Sequence, residues 1–205
     1  DRLFGMNLVV ESVAMTFFST FTNYPGLSQI LPFFHKDESR HSAFPKSYTA
    51  FAPLTFWTKH SPLARQRRMN LVLPLLLLLV TLKEDFDKVG LDVFEFGGKL
   101  LDKVSRLAEQ TGFYLPLPRA DMMRMYNLVF NLHLRLTDRD HFEGFRDYSQ
   151  HHSYRIREDL KKVEDDIYGT DAAGAAGLYH RVMEQIYRRL AAAIDPRFSP
   201  SVHPA

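Results

Sequence analysis

The sequence predicts an all-α protein, and three observations carry that prediction. Apolar residues in the first 45 positions recur at alternating steps of three and four, the spacing of one buried helical face. Turn-forming Pro-Gly and Pro-x-Pro clusters separate long periodic segments. No stretch shows a two-residue alternation long enough for a strand. At 205 residues, with 45% hydrophobic content, 17 Phe and 9 Tyr, the chain has ample material for a core.

Taken in order, residues 3–22 and 27–45 read as a helical hairpin turning at Asn23-Tyr24-Pro25-Gly26. Residues 47–56 read as a loop leading into a helix near 54–66. A helix over about 69–84 carries the run Leu71 to Leu82, with Pro74 suited to its first turn. That apolar run is 12 residues long and flanked by charge, against the roughly 20 a membrane span needs. It reads as a buried helix, so no transmembrane segment is expected. A further helix covers 93–111, weakened at its start by Gly97-Gly98. Tyr114-Leu115-Pro116-Leu117-Pro118 is a rigid connector. The next helix, 119–137, has Asp121 early and Arg135 late, as the helix dipole favours.

Beyond Thr137 the composition changes to dense charge, and a last helix is expected over 171–194 before a Pro-containing tail. The implied organisation is a helical domain at 1–136 and a charged helical extension at 137–205. The periodic pattern starts almost at Asp1, from which we expect that the chain is a fragment or has lost an N-terminal portion.

Composition excludes several functions. Lys+Arg 26 against Asp+Glu 24 gives no global electrostatic support for nucleic-acid binding. The absence of cysteine rules out disulfides, thiolate metal sites and thiol catalysis within these residues. It also suits a reducing cytoplasm, and no basic n-region or small-residue cleavage site marks a signal peptide.

The chemistry concentrates in Asp37-Glu38-Ser39-Arg40-His41 and in Glu11. Glu38 and His41, three apart, project from one helical face. Glu11 and Glu38 bracket Pro25-Gly26 evenly, so an antiparallel hairpin brings them level. The first stripe reads Phe4, Leu8, Glu11, Met15, Phe18, and the second Leu31, Phe34, Glu38, His41, Pro45. All three polar residues are therefore expected to face the apolar interface. Two carboxylates there repel one another and are costly to ionise unless a cation intervenes. A divalent metal satisfies both demands. Glu38-x-x-His41 as a solvated charged patch is the competing interpretation. Asp37 could orient a metal-bound histidine on a neighbouring helix, and Arg40 could pair with an outer carboxylate.

Val9-Val10-Glu11-Ser12 followed by Asp37-Glu38-Ser39-Arg40-His41-Ser42-Ala43-Phe44 resembles the second half-site of ferritin-like non-haem di-iron oxygenases. The Asp-Glu-x-Arg-His form is similar to bacterial multicomponent monooxygenase hydroxylases and to the p-aminobenzoate N-oxygenase group. The short loop and following Phe are closer to the N-oxygenases, which use an additional histidine. His35 is the candidate for that place, at an offset of three residues from Glu38 rather than the four expected.

This resemblance spans about residues 5–46. It implies a ferritin-like helical bundle, or its C-terminal half, with additional C-terminal helices. It further implies an oxidoreductase with two iron ions, or iron and manganese, using O2 and an external electron donor such as a reductase or ferredoxin. Hydroxylation, N-oxygenation or desaturation of a small apolar or aromatic substrate would follow. Glu11 would bridge or ligate terminally, Glu38 would bridge, His41 would ligate one ion, and Phe17, Phe18, Phe33 and Phe34 would wall a dry pocket.

A complete ferritin-like site takes a further Glu and a further Glu-x-x-His, and residues 42–205 contain no second such motif. The missing ligands are expected before Asp1 or from another chain, as in a homodimer. Two other classes stay open, a non-catalytic helical subunit and an iron or manganese oxidase or storage protein.

The remaining histidines suit other roles. His133 suits a satisfied core histidine, His180 with Glu184 is an i, i+4 pair, and His141 with His151-His152 suits a solvated edge. Arg65-Gln66-Arg67-Arg68 could meet an acidic lipid or partner surface, or form a solvated turn. Gly97-Gly98 lacks the spacing and Lys of a phosphate loop, and no Gly-x-Ser-x-Gly elbow occurs.

Overall fold

The computed structural model describes residues 3–22, 24–148, 158–169 and 175–198, which are helical with no strand among them. The chain divides into two compact units, 1–116 and 117–205. The division falls inside the proline-bearing connector, earlier than the change of composition at 137. Helix 119–137 groups with the charged residues because its asparagines bind them, as described below.

The first unit opens with a π-helical segment, Phe4–Val10, that runs directly into α1 (Glu11–Phe21). Its wide turns shift the buried face. Phe4, Leu8, Ser12 and Thr16 are buried at four-residue spacing, so Ser12 and Thr16 take the deepest positions and Glu11 lies at their edge. Thr16 offsets its polarity by donating to the Ser12 carbonyl at 2.7 Å.

After a turn at Gly26 (φ +83°), α2 (Leu31–Phe51) packs along α1. It continues six residues past the expected stop at Pro45. That proline is buried in the helix and removes the amide that would bond the His41 carbonyl. The Tyr24 hydroxyl ties the turn to the Val89 carbonyl.

Next come α3 (Phe56–His60), α4 (Pro62–Thr81) and α5 (Lys83–Lys88). A break at Ser61 replaces the one expected near 67, and Pro74 lies inside α4 instead of in a first turn. Pro74 is exposed, so water can reach the carbonyl it leaves unbonded. The leucine run is not buried as expected. Only one face of α4 packs on the π-segment and α6, which buries Val72 and Leu79 and leaves Leu71, Leu73, Leu77 and Leu78 exposed.

Helix α6 (Val93–Thr111) is the core element, burying Val93, Phe94, Phe96, Leu100, Leu101, Val104 and Ala108. The Asp92 carboxylate caps it by accepting from the Phe94 and Glu95 amides at 2.8 and 3.2 Å. Gly112, at φ +78°, closes it in the left-handed conformation. Its bounds match the sequence reading.

One helix, Phe4–Phe21, is long and apolar enough to cross a membrane by length and composition. The 18-residue span has Glu11 near its centre and packs on α2 and α6.

The second unit holds α7 (Arg119–Thr137), a 3-10 turn (Arg139–His141), α8 (Glu158–Tyr168) and α9 (Ala175–Ile194). Asn127 and Asn131, one turn apart and buried on α7, pin segment 146–148. Asn131 donates to the Arg146 carbonyl at 2.7 Å and accepts from its amide at 2.8 Å. Asn127 donates to Asp147 at 2.7 Å. Asp195 accepts from the Phe145 amide at 2.8 Å and pairs with Arg197. The pairing holds its carboxyl at about 2.

Arg68, assigned by sequence to a basic cluster, is a buried clamp. It donates to the Tyr114 carbonyl at 2.9 Å and to the Thr58 carbonyl, with its guanidinium 5.3 Å from the Phe113 ring centre. Arg68→Ala leaves a cavity and two carbonyls without their donor. Urea unfolding is expected to show a loss of roughly 2–4 kcal/mol. Arg68→Lys should recover only part of it, lacking the forked donor geometry.

Candidate metal centre

The hairpin places Glu11 at the first position of α1 and Glu38 and His41 on the facing stretch of α2. Near the turn, the rings of Phe18 and Phe34 meet at 5.7 Å and fix the register of the two helices. One ligand atom from each of Glu11, Glu38 and His41 lies within 4.8 Å of the others. His41 Nδ1 is 3.2 Å from Glu38 Oε2 and 3.9 Å from Glu11 Oε1, so Nδ1 is the ring nitrogen facing both carboxylates.

The electrostatics of the trio are set by two carboxylates held close together beside an imidazole. Glu11 is raised to about 7, first by burial, then by its hydrogen bond to Glu38 and by that residue's charge; His41 opposes the shift. Glu38 is lowered, first by the same hydrogen bond and then by His41, against its own desolvation. The pair therefore holds one proton up to about pH 7. Such a donor set fits one divalent ion, which would take the place of that proton.

The surroundings differ from the expected dry interface. The side chains of Glu11 and Glu38 are 18% and 23% exposed, but that of His41 is 54% exposed. The cause is local. The wide π turns move Ser12 into the interface, and among the described residues nothing covers the outer side of His41.

Phe17, Phe33 and Phe34 are likewise exposed; Phe17, Phe18 and Phe34 form an open cluster near the turn instead of a closed wall, and no ring contact is described for Phe33. Asp37 and Arg40 pair with each other at 3.7 Å on the solvent side, with no contact described to the trio. His35 is outside the converging group. Its carbonyl accepts from the Ser39 hydroxyl, four residues on, at 2.6 Å.

Other sequence candidates have separate settings. His133 is half-buried and its Nε2 meets the Thr137 hydroxyl at 3.1 Å. Glu184 is engaged by Arg188 at 2.8 Å and Arg124 at 2.7 Å. His151 and His152 lie outside the described residues, as do the side chains of His141 and His180. Glu11, Glu38 and His41 are the only such metal-capable group among the described residues. The π-segment that positions Glu11 has no distinct sequence signature; its trace is the buried Phe4, Leu8, Ser12, Thr16 spacing, legible only once Ser12 and Thr16 are known to be interior.

No protein-family model, curated protein or solved structure matches this chain.

The raised Glu11 carboxyl makes metal-free stability fall as pH rises. Between the ordinary value of 4.5 and about 7, the unfolded chain releases a proton that the native state retains. Above about 7 the native state must ionise Glu11 beside Glu38. Glu11→Gln is neutral throughout, so in chelator its stability relative to the parent should rise by roughly 1–3 kcal/mol between about pH 4 and pH 8. Urea unfolding at the two pH values checks this; an unchanged difference contradicts the shared proton.

Proposed function

We propose that this chain carries half of a non-haem di-iron carboxylate centre and serves O2-dependent oxidation of a small apolar or aromatic organic substrate. The observation that carries the reading is the convergence of ligand atoms of Glu11, Glu38 and His41 within 4.8 Å of one another. In a ferritin-like bundle, two helices each supply a Glu and two each supply a Glu-x-x-His. Here α1 supplies the single Glu and α2 the Glu-x-x-His, in register.

Each residue would have a distinct part. Glu38, whose carboxyl is lowered, would supply an anionic ligand. Glu11 gives up its proton to become the second anionic ligand. His41 supplies a neutral nitrogen through Nδ1, on the side open to solvent. Iron, when bound, activates O2 for hydroxylation, N-oxygenation or desaturation, with electrons from a reductase or ferredoxin. The ligands of a second ion would have to come from outside this trio, for example from a second copy of the chain. The exposure of His41 and of the phenylalanine cluster also suits a ferritin-like iron or manganese oxidase or storage protein. O2 consumption that requires an organic substrate separates the oxygenase from it.

Metal binding tests the shared foundation. Anaerobic Fe(II) or Mn(II) should bind the purified chain and Glu38→Ala should lose roughly tenfold or more in affinity, with helical content retained. Affinity should rise with pH up to about 7, because the Glu11 proton must leave. Metal content unchanged by Glu38→Ala sinks the reading and leaves a non-catalytic helical subunit.

A further inference from the structure

We propose that α3 and the start of α4 form a docking surface for a bilayer containing anionic phospholipid. Residues 39–83 contain seven Lys or Arg, two His and no Asp or Glu, in a chain whose acids and bases nearly balance overall. Within this acid-free run lie the most exposed large apolar side chains of the corner between α3 and α4. Trp57 is 75% exposed, Phe56 68% and Leu63 62%. Trp57, Leu63 and Arg67 line one open cleft, so apolar and cationic groups share a single surface.

The aromatic groups are held in place from behind. Phe56 lies 6.0 Å from Trp57 and 4.7 Å from the His60 ring, and Arg65 bonds His60 Nδ1 at 3.3 Å. Burial and the cations Arg65 and Lys59 hold His60 below its ordinary value. Apolar exposure continues along α4 at Leu71, Leu77 and Leu78.

These features match an anionic membrane interface. An indole ring suits the headgroup boundary, where its body is apolar and its N–H stays wet. Lys59 and Arg67 can place their heads at phosphate level while their stems lie along the apolar surface. Each cation adjoining an anionic leaflet adds to attraction without a complementary pocket. A bilayer also accommodates three protruding apolar side chains with no matching cavity, which a folded acidic partner would have to provide.

Trp57 is the single tryptophan, so its emission reports this corner alone. With the full chain, vesicles of equal parts phosphatidylglycerol and phosphatidylcholine should shift the emission to the blue. Brominated acyl chains should quench it and high salt should reverse both effects, while phosphatidylcholine alone should leave it unmoved. Lys59→Glu combined with Arg67→Glu should weaken partitioning by at least roughly tenfold. If that variant loses helical circular dichroism, the salt dependence of the parent chain decides instead.

Unchanged Trp57 emission on anionic vesicles overturns the proposal, even if the protein sediments with them through another segment. So does an equal shift on phosphatidylcholine alone. A shift with heparin but none with vesicles assigns the surface to a soluble polyanion and likewise overturns it.

Discussion

A proton held between Glu11 and Glu38 is the constraint on which the candidate centre depends. Two carboxylates on facing helices carry a penalty that side chains of ordinary size would avoid, and the neighbouring His41 relieves only part of it. The hairpin tolerates that penalty because α1 and α2 are packed along their lengths and pinned at the Phe18–Phe34 contact. The site is thus held by helix register, with its charge offset by a proton and by His41. A cation is the chemical species that such an arrangement accommodates best.

The scaffold behind the hairpin is held by directed polar contacts as much as by apolar burial. In the first unit, buried Arg68 joins α3, α4 and the 113–114 connector through two carbonyls and a ring. In the second, Asn127 and Asn131 hold an irregular strap against α7, where no repeating backbone ladder could. Each contact is specific in geometry, since a buried donor without its acceptor is costly. That economy leaves whole faces uncovered, among them the outer side of α4 and the corner at Trp57.

Much of this was legible in the residues themselves. The Glu38-x-x-His41 spacing and the even placement of Glu11 and Glu38 about Pro25-Gly26 were enough to foresee the converging trio, because helix geometry converts spacing into direction. The bounds read for α6 and α7, 93–111 and 119–137, agree with the structure, because the residues that end them, Asp92, Gly112 and Pro118, act locally.

Features set by tertiary context were not legible. Pro45 looks like a helix stop and Pro74 like a first-turn residue, yet packing and solvent exposure carry both helices through them. The leucine run looks fully buried, but hydrophobicity alone does not say how many faces of α4 find a neighbour. The π-segment was hidden because Ser12 and Thr16 look like surface residues and Glu11 looks central. The asparagine pair on α7 looks like ordinary helix surface until segment 146–148 is seen against it.

The central claim is that a divalent cation replaces the proton shared by Glu11 and Glu38. Titration calorimetry with Mn(II), repeated in buffers of different ionisation enthalpy, measures that exchange directly. Near pH 6 the chain should release about one proton per bound ion, falling towards none well above pH 7 as Glu11 ionises unaided. Binding without proton release near pH 6, or no binding at all, would contradict the account.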